Sequence, residues 1–183
     1  EALQFYKRVV GDYPRSADAP NALFEHASLL FTKKEFTTAR TIFSQIIDRF
    51  PRSAVAGDAA VMVGECYLGE GNAEAANRIF RQTAGGYDQP EVKAQAIFKL
   101  GLSRFQAGEY DLALKNFEDV LRAYAKTAVA PDARFWRGES YFKLGRYTEA
   151  LSDYQGFIRE NPSSPRIAEA RYGQGYAALK SGQ

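Results

Sequence analysis

The chain has a single cysteine, a single histidine, a single tryptophan and a single methionine among 183 residues. Cys66 alone offers no partner for an internal disulfide and excludes any multi-cysteine zinc site. His26 alone excludes every site that needs two histidines. No run approaches the roughly 18 uninterrupted apolar residues of a membrane span, so direct membrane insertion is not expected. A surplus of one charge sign is missing as well. Lys plus Arg number 24 and Asp plus Glu number 22, for a net charge of +2. The pI of about 8.6 comes from that small excess and not from a basic block, which argues against nucleic acid as a partner. There is no glycine-rich phosphate loop, no nucleophile elbow and no metal-ligand spacing, so neither an enzyme nor a cofactor is expected. The first residue is Glu1, and no signal peptide follows it, so the natural protein is expected to extend beyond this chain.

What the sequence has in quantity is itself, repeated. Ala2, Ala39, Ala76, Ala113 and Ala150 stand 37 residues apart, and so do Ala22, Ala59, Ala96, Ala133 and Ala170. A third series is small: Ala27, Gly64, Gly101, Gly138 and Gly175. A fourth is aromatic: Tyr6, Phe43, Phe80, Phe117 and Tyr154. A fifth runs Tyr13, Phe50, Tyr87, Tyr124, with Asn161 breaking it. Fixed-period self-similarity of this kind is the signature of a repeat architecture.

Each unit reads as two helices. The stretch from Ala133 to Gly145 mixes apolar and polar residues at helical spacing. Glycine can take the left-handed conformation that ends a helix, and the same slot holds Gly71, Gly108 and Gly182, with Lys34 as the departure. The next stretch places Tyr147, Ala150, Leu151, Tyr154, Phe157 and Ile158 at the period of an amphipathic helix. Pro14, Pro51 and Pro162 are expected to stop the second helices, and Ser16, Ser53 and Ser164 to cap the helices that follow. The small residues let the two helices cross closely, and the aromatics fill the space beside them. One hairpin cannot bury its apolar face alone, whereas stacked neighbours can.

These residues carry a resemblance. A small eighth residue, Tyr67 or Tyr141 at the eleventh, an aromatic at the seventeenth (Phe36, Tyr110, Tyr147), Ala at the twentieth and an aromatic at the twenty-fourth resemble the tetratricopeptide repeat. The unit departs from that repeat's usual 34 residues by three more, and Leu23, Ala60, Ile97, Arg134 and Arg171 stand where it usually has Trp. The resemblance implies an all-α, right-handed α-α superhelix of about ten helices. It would be a single array over residues 1–183: a second helix in 1–16, complete units at 17–53, 54–90, 91–127 and 128–163, and a first helix in 164–183. The phrases joining the units, with Tyr or Phe, Pro, a polar residue and Ser, are similar to linkers in two bacterial envelope families. These are the Tol–Pal-associated periplasmic coordinators and the outer-membrane assembly lipoproteins. That likeness implies a periplasmic or cell-envelope setting.

The resemblance also implies where a partner would lie. First helices of such repeats line a concave face, whose aromatic positions here are Phe24, Phe31, Phe98, Phe105, Phe135, Phe142 and Tyr172. Polar groups flank them at Asp58, Glu65, Gln95, Asp132, Glu139 and Lys143. Together they suit a protein or peptide segment with apolar anchors. The same aromatics can instead pack only against neighbouring helices. The family's Lys and Asn clamp for a C-terminal carboxylate is absent, since the ninth place holds Ser28, Glu65, Leu102, Glu139 or Tyr176. His26 is expected to pack, Cys66 to be an inert buried thiol, and Trp136 to pack between repeats or stack on a ligand. Ala84-Gly85-Gly86 reads as an early helix end with a turn through Asp88-Gln89-Pro90, or as a hinge. The function expected is a non-enzymatic interaction scaffold. The alternative is a self-assembling or spacer segment joined through open array ends.

Overall fold

A computed structural model describes residues 16–182. The second helix expected over residues 1–16, with Ala2, Tyr6, Tyr13 and Pro14, falls almost wholly outside the described residues. The described residues form nine helices and no strand. They are α1 (Ala19–Thr32), α2 (Phe36–Arg49), α3 (Ala56–Gly69), α4 (Ala73–Gly86), α5 (Pro90–Gln106), α6 (Tyr110–Ala123), α7 (Ala130–Lys143), α8 (Tyr147–Glu160) and α9 (Ile167–Ser181). The chain divides into two compact units, Glu1–Val92 and Lys93–Gln183, and the division falls inside α5.

In the first unit α1 packs on α2, α2 on α3 and α3 on α4. Ala39 and Ala76 are fully buried where the helices cross. A Cβ at Gly64 would stand 2.3 Å from the Phe80 ring, so this crossing has room for nothing larger than glycine. Leu23, Phe43, Ile46, Val63 and Cys66 complete the core. His26 is 8% exposed and lies with the packing residues, as its position suggests. The second unit repeats the scheme, with α6 on α7, α7 on α8, α8 on α9, and the first helices α7 and α9 also touching. Ala113, Ala150, Ala133 and Ala170 are fully buried there.

The turns inside the hairpins follow the glycine slot. Gly71, Gly108, Gly145 and Gly182 have φ of 77°, 79°, 75° and 76°, and Lys34 takes the same left-handed conformation at φ 63°. In each complete hairpin turn the next residue's N–H reaches back to close the helix. Glu35 donates to the Leu30 carbonyl at 2.9 Å and Arg146 to that of Tyr141 at 2.9 Å.

Two local expectations are corrected. The serines do not cap. The N-cap slots belong to Asp18, Val55, Val129 and Arg166, none with a side-chain cap bond. The serine carbonyls accept from the N–H three residues on, Ser16 from Ala19, Ser53 from Ala56 and Ser164 from Ile167, and Thr127 does the same for Ala130, while the Ser16 and Ser164 hydroxyls accept the N–H of Asp18 and Arg166 at 3.2 Å. These residues shape the turn before the helix. Secondly, α4 does not end early. It runs through Gly85 and Gly86 to the same 14-residue length as α2, α6 and α8. Tyr87 is then extended and donates its hydroxyl hydrogen to the Ala56 carbonyl at 3.1 Å, which fixes where the helix stops. The turn through Asp88 and Gln89 is short because α5 begins at Pro90, a favoured first position for proline.

Candidate functional site

The aromatics of the first helices share one geometry. Phe31 meets Phe36, Phe105 meets Tyr110 and Phe142 meets Tyr147, all edge to face with centroids 5.2–5.3 Å apart. Phe24 packs on Phe43 at 5.3 Å, Phe98 on Phe117 at 5.8 Å, and Phe135 on Phe157 at 5.6 Å. Each pair joins a first helix to the second helix of its own hairpin. Phe98 and Phe135 are 6% and 3% exposed, so they form the floor of the hairpins and present little surface of their own. Phe24, Phe31, Phe105 and Phe142 are half-buried, and Tyr172 is 73% exposed.

The polar candidates differ from one another. Asp58, Glu65 and Gln95 are half-buried, and burial raises the Asp58 carboxyl above its usual range. Asp132 accepts a hydrogen bond from Arg166 at 3.2 Å. Glu139 accepts the Tyr154 hydroxyl at 2.6 Å. Burial, and then that hydrogen bond, push the Tyr154 phenol far up, so it stays a donor at any ordinary pH. Lys143 is exposed.

Five of these residues come together. Phe135, Glu139, Phe142, Lys143 and Tyr172 line a groove of about 540 Å³ in the second unit. Four other groups in this wall do not follow from the sequence register alone: Trp136, Tyr154, Gly173 and Tyr176. Tyr154 belongs to a packing series and is 1% exposed, yet its hydroxyl orients the groove carboxylate. Tyr176 is 44% exposed and meets Phe142 edge to face at 6.1 Å.

A second hollow in the same unit, of about 560 Å³, is lined by Glu118, Arg122, Arg134, Arg137 and Glu160 among others. Its arginines are already paired, Arg134 with Glu160 at 2.7 Å, Arg137 with Asp153 and Arg122 with Asp119. It contains none of the sequence candidates and offers no uncommitted cation. Among the described residues no group of three or more His, Cys, Asp or Glu side chains could hold a metal ion, and no helix is long and apolar enough to cross a membrane. Cys66 is fully buried and its thiol is pushed up to about 12, chiefly by burial and then by Glu70.

Paired helices of 14 to 17 residues, left-handed turns in one slot and small residues at the crossings define a helical-hairpin repeat. Two models of the tetratricopeptide repeat match the sequence, one over residues 21–53 and one over residues 98–165. The chain belongs to the tetratricopeptide-repeat family, and its fold is the all-α solenoid class of that family. Among solved structures it is similar to the MamA protein, at 18% identity over 91% of this chain and 85% of that one, with a TM-score of 0.69. It is also similar to a thermophilic TPR protein of Thermus thermophilus, at 21% identity over 97% and 89% of the two chains, with a TM-score of 0.69. A third is YrrB, described as a TPR protein with an unusual peptide-binding site, at 18% identity over 98% and 84%, with a TM-score of 0.66. No curated protein sequence matches the chain.

Proposed function

We propose that the protein is a non-enzymatic scaffold that holds an extended segment of a partner protein in the groove of α7, α8 and α9. The observation that carries this reading is the groove's composition. Aromatic faces from Phe142, Tyr172 and Tyr176 stand beside a carboxylate, Glu139, whose one hydrogen-bond partner is a neutral hydroxyl. Rigid aromatics supply contact area at low entropy cost, and a few polar groups fix orientation. YrrB, of like fold, is described as having a peptide-binding site, which supports a peptide in this one.

The setting we propose is the bacterial cell envelope, as a coordinator or assembly factor, on the strength of the phrases that join the units. The test places a photo-crosslinking residue at Tyr176 in the full-length protein in its native host, with Lys115 on the exposed face of α6 as the control. The expected outcome is a discrete adduct from Tyr176 alone, found in the envelope fraction and lost when Phe142 is changed to Ala. Equal labelling from both sites would overturn the groove, and a cytosolic adduct would overturn the setting.

One observation favours a second reading, self-association. Tyr172 and Leu179 on α9 are 73% and 72% exposed, whereas Phe135 and Phe142, one unit earlier, pack on α8. Sedimentation at rising concentration separates the two, since association through α9 is concentration-dependent and is removed by Leu179→Glu.

A further inference from the structure

The sixth place of successive units holds Glu25, Met62, Lys99, Trp136 and Gly173. Trp136 reaches from α7 onto Phe105 of α5, edge to face, with centroids 5.0 Å apart and an interplanar angle of 69°. It also meets Phe135 at 5.6 Å. There, an indole of the chain itself sits on the aromatic of the preceding first helix.

One unit later every part of that arrangement has its counterpart except the indole. Phe142 stands in the register of Phe105 and Tyr172 in that of Phe135, but Gly173 stands in the register of Trp136. The groove of about 540 Å³ lies at this position, with Phe142, Tyr172 and Gly173 in its wall. Glycine is also what lets the Tyr154 ring approach α9, since a Cβ at 173 would stand 2.7 Å from it. Tyr154 closes on the backbone of Gly173, and the open seat lies beyond it, between Phe142, Tyr172 and Tyr176.

We infer that this seat receives an aromatic side chain of the partner segment, placed edge to face on Phe142 as Trp136 is placed on Phe105. The inference rests on the peptide-binding reading above and narrows it to one chemistry. Hydrogen-bond complementarity supports a peptide as the carrier of that side chain. Glu139 accepts only the Tyr154 hydroxyl, and Lys143, one helical turn on, is in no ion pair. An acceptor and a donor about 6 Å apart along α7 match the N–H and C=O of a peptide main chain beside the seated ring.

Trp136 is the only tryptophan, it lines the groove, and its indole nitrogen is buried without a hydrogen-bond partner. Its single indole N–H resonance in the ¹⁵N-labelled chain therefore reports on occupancy. The probes are three blocked tripeptides, acetyl-Gly-X-Gly-amide with X as Trp, Phe or Leu. The expected result is saturable shifts of the Trp136 indole and the Gly173 amide on the order of millimolar peptide, with Trp and Phe bound about fivefold or more tighter than Leu. Phe142→Leu, which keeps the apolar volume, should abolish that preference, and Tyr176→Ala, an exposed position that does not endanger folding, should weaken all binding of aromatic peptides. Saturable groove shifts with equal affinity for Leu and the aromatics would overturn the aromatic seat and leave the peptide groove standing. Absence of saturable shifts at Trp136 and Gly173 with every probe would overturn both.

Discussion

Arg137 on α7 grips Asp153 on α8 through two nitrogens, Nε at 2.7 Å and Nη2 at 2.5 Å, with the carboxylate side chain only 8% exposed. A two-pronged pair of this kind suits a buried carboxylate, because it satisfies both oxygens. One unit earlier Asn116 takes the register of Asp153 and is satisfied by Arg104 at 2.8 Å. Removing one partner leaves a buried charge unpaired. Arg137→Ala is expected to cost about 3–5 kcal/mol of stability in urea unfolding. Replacing both residues with Leu should cost far less, and equal losses in the single and double variants would show that the pair is not the cause.

Lys34 holds a backbone conformation that glycine holds in every other unit, at φ 63° against 75–79°. A Cβ in that region meets the following carbonyl oxygen, which costs about 1–2 kcal/mol. Lys34→Gly should therefore stabilise the chain by about 1 kcal/mol, seen as a higher urea midpoint with an unchanged slope. Gly145→Ala should act in the opposite direction.

The small series at the helix crossing is not uniform in clearance. An added Cβ would meet a ring atom at 2.3 Å at Gly64, at 2.7 Å at Gly101 and at 3.2 Å at Gly138, and nothing within 4 Å at Gly175. Substitution by Ala should follow that order. At Gly64 overpacking should cost about 1–3 kcal/mol. At Gly175, exposed in mid-helix, Ala should gain about 0.5–1 kcal/mol from lost chain entropy in the unfolded state. A loss at Gly175 as large as that at Gly64 would refute the packing account.

Cys66 sets an alkaline limit. Its thiol is pushed from 9.0 up to about 12 in the folded chain, so the folded state holds this proton more tightly than the unfolded one. Below pH 9 both states are protonated and the contribution is complete. As pH rises from 9 towards 12 the unfolded thiol ionises first and stability is lost. Cys66→Ala should flatten the fall in urea midpoint across that window, and wild-type Cys66 should react with a thiol reagent at pH 8 only when unfolding exposes it.

The period of 37 and the series Ala39, Ala76, Ala113 and Ala150 made the hairpins legible, because repetition multiplies a weak local signal. Lys34 was legible as a departure, and the structure gives its cost. The turn serines were misread because a hydroxyl before a helix suggests a cap, while here the serine carbonyls, joined by the Ser16 and Ser164 hydroxyls, bond within the turn that precedes the helix. Gly85 and Gly86 were misread because glycine breaks isolated helices, whereas tertiary anchoring at Tyr87 carried α4 through them. The groove was only half legible. Its aromatic faces follow from the first-helix register, but its opening depends on Gly173 standing where Trp136 stands one unit before, a comparison between units and not within one.

The ring pairs Phe31–Phe36, Phe105–Tyr110 and Phe142–Tyr147 join residues only five apart in the chain. Contacts so close in sequence close in well under a microsecond, and folds dominated by them form in microseconds to milliseconds. A ring clasp across these three turns thus requires nothing from distant parts of the chain, whereas the turn at Gly71 has Leu68 and Ala73 in the same places and no clasp. As the polypeptide leaves the ribosome, the clasped hairpins can begin to close as soon as their own residues have emerged, and each is secured when a neighbour stacks on its apolar face.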